Sequence, residues 1–95
     1  MPRPRVLEKD AQATILMLAE TLGWRVYHTF DSRRSAEGFP DLVLVRDRVV
    51  FAELKREGER PRPNQTDWLN TLAAAGAETY VWTLADWDEI VSVLS

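Results

Sequence analysis

The sequence predicts an α/β layered domain, a small sheet with helices packed on its faces, and three observations predict it. Residues 7–22 carry apolar side chains at helical spacing. Four short segments, 24–30, 41–46, 48–55 and 78–83, are rich in β-branched and aromatic residues and bounded by turn formers. Two more helical patterns follow the third and fourth of these segments, which gives the order αβββαβα.

Each element has a local reason. In LEKDAQATILMLAETL (7–22), Ala11, Ile15, Leu18, Ala19 and Leu22 share one face, and Gly23 is placed to end the helix. WRVYHTF (24–30) reads as a strand, and DSRRSAEGFP (31–40) as a polar loop closed by Gly and Pro. DLVLVR and RVVFAELK are two strands joined by a tight turn around Asp47, and REGERPRPN (56–64) is a second loop rich in charge and Pro. A helix begins near Pro63, with Trp68, Leu69, Leu72 and Ala73 as its stripe and Gly76 as its stop. ETYVWT is the fourth strand. LADWDEIVSVL is a last helix, opened by Thr83 with Asp86 three residues on, as in a capping box.

Composition narrows the function. Ninety-five residues, 45% apolar and 28% charged, fit one soluble globular domain spanning 1–95. No apolar run approaches the roughly 20 residues that span a bilayer, and MPRPRVLEKD has no apolar segment behind its charges, so neither a membrane nor secretion is expected. Cysteine is absent, which removes disulfides and thiolate metal sites and suits a cytoplasmic location; the lone His28 removes a histidine-based metal site. The net charge of −3 hides an asymmetry. Residues 1–62 hold all twelve Lys and Arg against ten acids, whereas 63–95 hold five acids and no base. Such a chain can present a cationic face to nucleic acid, or merely a mixed solvated surface.

The stretch GFPDLVLVRDRVVFAELK (38–55) places Asp41, Glu53 and Lys55 on what should be a buried hairpin. Glu53 and Lys55 point to one side of their strand. A two-residue turn at Asp47-Arg48 would set Asp41 and Glu53 on opposite faces, but Asp-Arg lacks the residues that such turns favour. A three-residue turn, Arg46-Asp47-Arg48, pairs position i with 94 − i and sets Asp41 directly across from Glu53. We expect the three-residue turn.

Two carboxylates at 4 Å repel by roughly 4 kcal/mol at an effective dielectric of about 20. They must share a proton, recruit cations or bind a metal ion. Glu8 falls in the middle of the apolar face of the first helix, so it adds a third acid against the single cation of Lys55. Oxygen ligands without His or Cys suit a hard ion, Mg2+ or Mn2+. Plainer readings stand beside this one: Glu8 as a first-turn acid, Glu53 and Lys55 as an exposed cross-strand charge pair, Asp41 as a turn residue, Gln65 as a polar residue of a first helical turn.

The string Pro40-Asp41, then Glu53-Leu54-Lys55 a strand length later, resembles the PD-(D/E)xK nuclease core. Glu8, Gly38-Phe39-Pro40-Asp41-Leu42, Glu53-x-Lys55 and Gln65 together resemble its VRR-NUC (virus-type replication-repair nuclease) branch. Trp24-Arg25-Val26-Tyr27-His28 and Tyr80-Val81-Trp82 with Asp86-Trp87 are similar to that branch as well, so the likeness runs from about residue 7 to 94. Arg62 stands where a Ser or Thr cap often precedes Pro63 and Gln65 in that family. The resemblance implies a restriction-endonuclease-like αβββαβ core with a small mixed sheet, here extended by a C-terminal helix.

It also implies a site. Asp41, Glu53 and the backbone carbonyl of Leu54 would ligate Mg2+ or Mn2+, and Glu8 would complete the acidic cluster. Lys55 would orient a water or stabilise the developing charge, Gln65 would position Lys55, water or phosphate, and Gln12 is a weaker supporting candidate. The basic loops, Ser32, Arg33, Arg34 and Ser35 on one side and Arg56, Arg60 and Arg62 on the other, suit phosphate contacts that position DNA without reading it. Small stand-alone members look like homodimeric resolvases of branched DNA, which implies a structure-selective endonuclease of a bacterium or phage, acting on four-way junctions in DNA repair. The tryptophans could form the dimer interface or fill the core. A catalytically inactive nucleic-acid-binding module of the same fold, or a protein-interaction domain, are the alternatives.

Overall fold

The stripe read at 7–22 forms helix α1, Ala11–Thr21, in the computed structural model, which describes residues 10–29 and 36–95. Ile15, Leu18 and Ala19 are buried on its inner face, with Ala11 and Leu22 packed at the margins. The helix closes in a Schellman turn, in which Trp24 N–H donates to Ala19 O and Gly23 N–H to Glu20 O.

Strands β1 (Arg25–His28), β2 (Leu42–Val45) and β3 (Val49–Leu54) form an antiparallel meander. Helix α2 (Pro63–Ala74) then carries the chain to β4 (Glu78–Trp82), which pairs parallel to β3 as a crossover connection permits. The sheet order is β1-β2-β3-β4, a mixed four-stranded sheet. A 3-10 turn, Leu84–Asp86, leads into α3, Trp87–Leu94. The capping residues expected here are in place, with Thr83 N–H donating to Asp86 Oδ2 (2.9 Å) and Ala85 N–H to Thr83 Oγ1 (3.1 Å). The expected single helix 84–94 is thus split, because its first turn is wound 3-10 before α3 begins.

Alternation along the strands divides the side chains between two faces. Leu42, Leu44, Val50, Ala52 and Trp82 are fully buried on one, where they meet Ile15 and Ala19 of α1 and Ile90 and Leu94 of α3. Phe51 and Glu53 alternate to the other face, where Phe39 stands edge-on to Phe51 and to Trp68 of α2. On α2 the buried pair is Gln65 and Leu69, while Trp68 and Leu72 are half-buried and Ala73 is exposed. The expected stripe is therefore corrected at Ala73. Apolarity alone favoured alanine, whereas the inward line of the helix starts one turn earlier, on a glutamine.

The hairpin tip is fastened to the end of the chain. Trp24 Nε1–H donates to Leu94 O (2.8 Å), and Arg46 donates to Leu22 O, Leu94 O and Ser95 O. Both Arg46 and Arg48 lie over the Trp24 ring, at 4.6 and 5.1 Å from its centroid. Arg48 also pairs with Glu78 (2.7 Å) and donates to Val93 O. These guanidiniums complement the carbonyl ends of α1 and α3. Two of the twelve basic residues are therefore spent on the fold.

Candidate metal centre and nucleic-acid interface

The register settles where the acids point. The hairpin turns over three residues, Arg46-Asp47-Arg48, closed by Arg46 N–H to Arg48 O (3.1 Å). Val45 pairs with Val49, Leu44 with Val50, Val43 with Phe51 and Leu42 with Ala52, which is the 94 − i register. One step further along, Asp41 stands across from Glu53.

Asp41 sits where β2 bends and its ladder stops. Thr29 N–H donates to Asp41 O (2.9 Å) and Thr29 Oγ1 to Pro40 O (3.0 Å), which fixes the backbone on the β1 side. On the other side, Asp41 Oδ2 accepts from Leu54 N–H at 2.8 Å, taking the place of a ladder carbonyl. A strand residue directs its N–H and C=O to the same side, so the Leu54 carbonyl faces this end of β2. The residue opposite by register is Pro40, which has no N–H to give it. Both the side chain of Asp41 and the carbonyl of Leu54 are thereby brought to one strand end.

Glu53 is only 2% exposed. Burial, then its hydrogen bond and charge interaction with Asp41, push its carboxyl up to about 9, against the opposing pull of Lys55 and Arg62. At neutral pH the pair therefore holds one proton when no cation is bound. Glu53 Oε2 is buried without a hydrogen-bond partner. An orphaned carboxylate oxygen beside a second carboxylate fits a hard divalent cation, which would replace the proton and satisfy both oxygens. Among the described residues no three Asp, Glu, His or Cys side chains converge, so the described acidic set is the pair.

The residue that opens α2, Arg62, lies near enough to Glu53 to pull on its charge. Gln65 Oε1 accepts from Arg62 N–H (2.8 Å), the glutamine half of a capping box. Arg62 has no side-chain acceptor to return the other half. The helix start is thus held by Gln65, which commits that oxygen to the backbone. Ahead of Asp41, Gly38 has φ +85°, and a Cβ there would lie 2.7 Å from Asn64 C and 2.8 Å from Asn64 O. Only glycine lets the loop approach α2 so closely. Pro40 is fully buried behind it.

Glu8, Ser32, Arg33, Arg34 and Ser35 lie outside the described residues. Asp41, Glu53, the Leu54 carbonyl and Lys55 come together at one strand end, with Lys55 half-buried next to Glu53. Arg56, Arg60 and Arg62 are exposed around the same end, and Gln12 is half-buried on α1. The stripe of α1 packs on the sheet face opposite to Glu53. Sequence reasoning missed the Phe39–Trp68 contact, whose partners are 29 residues apart and carry no shared local signal. It placed Arg62 in a phosphate-binding loop and missed its second position, beside Glu53.

Comparison with known proteins agrees with the fold. The family model of the VRR-NUC domain matches residues 5–85. A solved structure described as a VRR_NUC domain superposes with a TM-score of 0.74 at 25% identity, covering 90% of this chain and 94% of its own. Another, a VRR_NUC domain protein, gives 0.73 at 19% identity over 94% of this chain and 85% of its own. No curated protein sequence matches the chain significantly. With a nuclease-type fold and a family match over most of its length, the chain belongs to the VRR-NUC domain family.

Proposed function

We propose that this chain, as one domain over residues 1–95, is a divalent-metal-dependent deoxyribonuclease that hydrolyses phosphodiester bonds in branched DNA, four-way junctions foremost, as a homodimer in the bacterial cytoplasm. The observation that carries the reading is the Asp41–Glu53 pair, juxtaposed by register, with a buried glutamate oxygen lacking any partner.

Asp41, Glu53 and the Leu54 carbonyl, with Glu8 as a further acid, would hold Mg2+ or Mn2+. Such an ion supplies Lewis-acid polarisation of a phosphodiester oxygen and makes water a better nucleophile near neutral pH. Glu53 gives up the proton that it holds in the ion-free protein. Lys55, on the same side of β3, orients the attacking water and offsets charge developing on the phosphate. Gln65 fixes the helix start that carries Arg62, and its amide group is the part left for Lys55 or phosphate. Arg56, Arg60 and Arg62, together with Ser32, Arg33, Arg34 and Ser35, hold the DNA backbone. An outward face bearing Tyr27, Val45 and Val49, exposed by 60%, 39% and 39%, supports pairing with a second copy. Three of the four tryptophans are core residues and Trp68 is half-buried, so that face replaces them as the interface.

The test uses plasmid, flap and four-way-junction DNA with Mg2+, with Mn2+ and with chelator, for the wild type, Asp41→Ala and Lys55→Ala. Metal-dependent cutting that both variants lose upholds the reading. Metal-independent binding without cutting would leave a nucleic-acid-binding module, and neither activity would refute both. Light scattering reports the mass, and a monomer that still cuts junctions symmetrically would defeat the dimer.

A further inference from the structure

We infer that Trp68 is a positioning residue for the metal centre, acting through the segment Glu37–Pro40 on the carboxylate of Asp41; the inference rests on the metal-dependent reading above. Trp68 projects from α2 and makes two contacts with that segment. Its Nε1–H donates to Glu37 O at 3.2 Å. Its ring stands edge-on to Phe39, centroids 5.1 Å apart, and Phe39 in turn stands edge-on to Phe51 on β3 at 6.0 Å. Phe39 is thus clamped between a helix and the sheet, two residues before Asp41.

The clamp acts on the start and middle of the segment, whose far end is held by Thr29 through Pro40 O and Asp41 O. Asp41 is tied by its backbone to Thr29 on the β1 side, but it lies past the end of the β2–β3 ladder. Its carboxylate is therefore placed by the path of residues 37–40, the bond from Leu54 N–H and the hydrogen bond with Glu53. Gly38 against Asn64 sets how close that path comes to α2. Trp68 sets its direction, through a bond at one end of the segment and a ring contact in the middle. Without the indole N–H, Glu37 O turns to solvent and the segment gains freedom that it passes to Asp41. Supporting groups one step removed from a metal ligand commonly change metal affinity by about 10–100-fold when removed.

Trp68→Phe keeps an aromatic ring against Phe39 and removes only the N–H; Phe39→Leu removes the ring instead. Two quantities are read: Mn2+ affinity by titration calorimetry, and hydrogen exchange of the Leu54 amide in the metal-free protein. The Lys55 amide, bonded to Trp82 O at 2.9 Å on the β4 side, is the internal reference. We expect each variant to bind Mn2+ about tenfold more weakly, with Leu54 exchanging faster relative to Lys55. Unchanged affinity and an unchanged Leu54-to-Lys55 ratio, even with a lower melting temperature, would make Trp68 a packing residue and overturn the inference. If the wild type binds no Mn2+, the nuclease reading fails, and the exchange ratio still decides whether Trp68 places Asp41.

Discussion

Substituting Glu53 by Gln should make the metal-free protein more stable at pH 7.5, although it removes a proposed ligand. Glu53 takes its proton at about 9 in the fold against an ordinary value of 4.5. Folding therefore favours the protonated form, and the stability it lends is complete below pH 4.5 and drains away as pH rises toward 9. Each pH unit inside that window is worth about 1.4 kcal/mol. Raising the pH from 5.5 to 7.5 thus costs the wild type up to about 3 kcal/mol through this group. A glutamine at this position cannot titrate, and its amide N–H still faces Asp41 as the protonated acid does, so the variant is spared. The assay is urea unfolding with chelator at pH 5.5, 6.5 and 7.5, where the difference between the two proteins should widen in favour of the variant. Mn2+ at a hundred times its dissociation constant should return about 2.7 kcal/mol to the wild type at pH 7.5 and little to the variant. A wild-type-minus-variant difference that stays flat with pH would refute the buried proton.

Three other outcomes follow from the same geometry. Asp41→Asn retains an oxygen for Leu54 N–H, so its circular dichroism should match the wild type while metal-dependent cleavage falls by about a hundredfold or more. Gly38→Ala forces a Cβ to within 2.8 Å of the Asn64 backbone at φ +85°, and should lower unfolding free energy in urea by about 1–3 kcal/mol. Arg60→Gln and Arg62→Gln should weaken binding of unrelated DNA sequences alike, each reducing the slope of log affinity against log salt by about one.

The fold was legible where pattern and chemistry agreed. The spacing of Ile15, Leu18 and Ala19 defined α1, and Gly23 and Gly76 ended their helices as the sequence implied. The hairpin register followed from what Asp47-Arg48 is not, a pair suited to a two-residue turn. What pattern could not show was long-range: the hydrogen bonds of Trp24, Arg46 and Arg48 to the chain end join residues 45 to 70 positions apart. Nor does periodicity admit a buried glutamine, since Gln65 faces inward for a hydrogen bond to Arg62 rather than for apolar burial.

The site was legible as a set of residues before it was legible as a place. Asp41, Glu53 and Lys55 could be brought together by counting along a hairpin, because a ladder transmits position with a period of two. The device that aims Asp41 is of another kind. It depends on Gly38 meeting Asn64 and on Phe39 standing between Phe51 and Trp68, contacts that span a loop and a helix and obey no period. Glu53, buried beside Asp41, holds its proton far above the ordinary carboxylate range, and a bound cation would favour its ionised form instead. The buried, half-satisfied Glu53 opposes folding at neutral pH, and a packed aliphatic residue there would not. A bound cation would remove that cost, which is the physical argument for the proposed metal dependence.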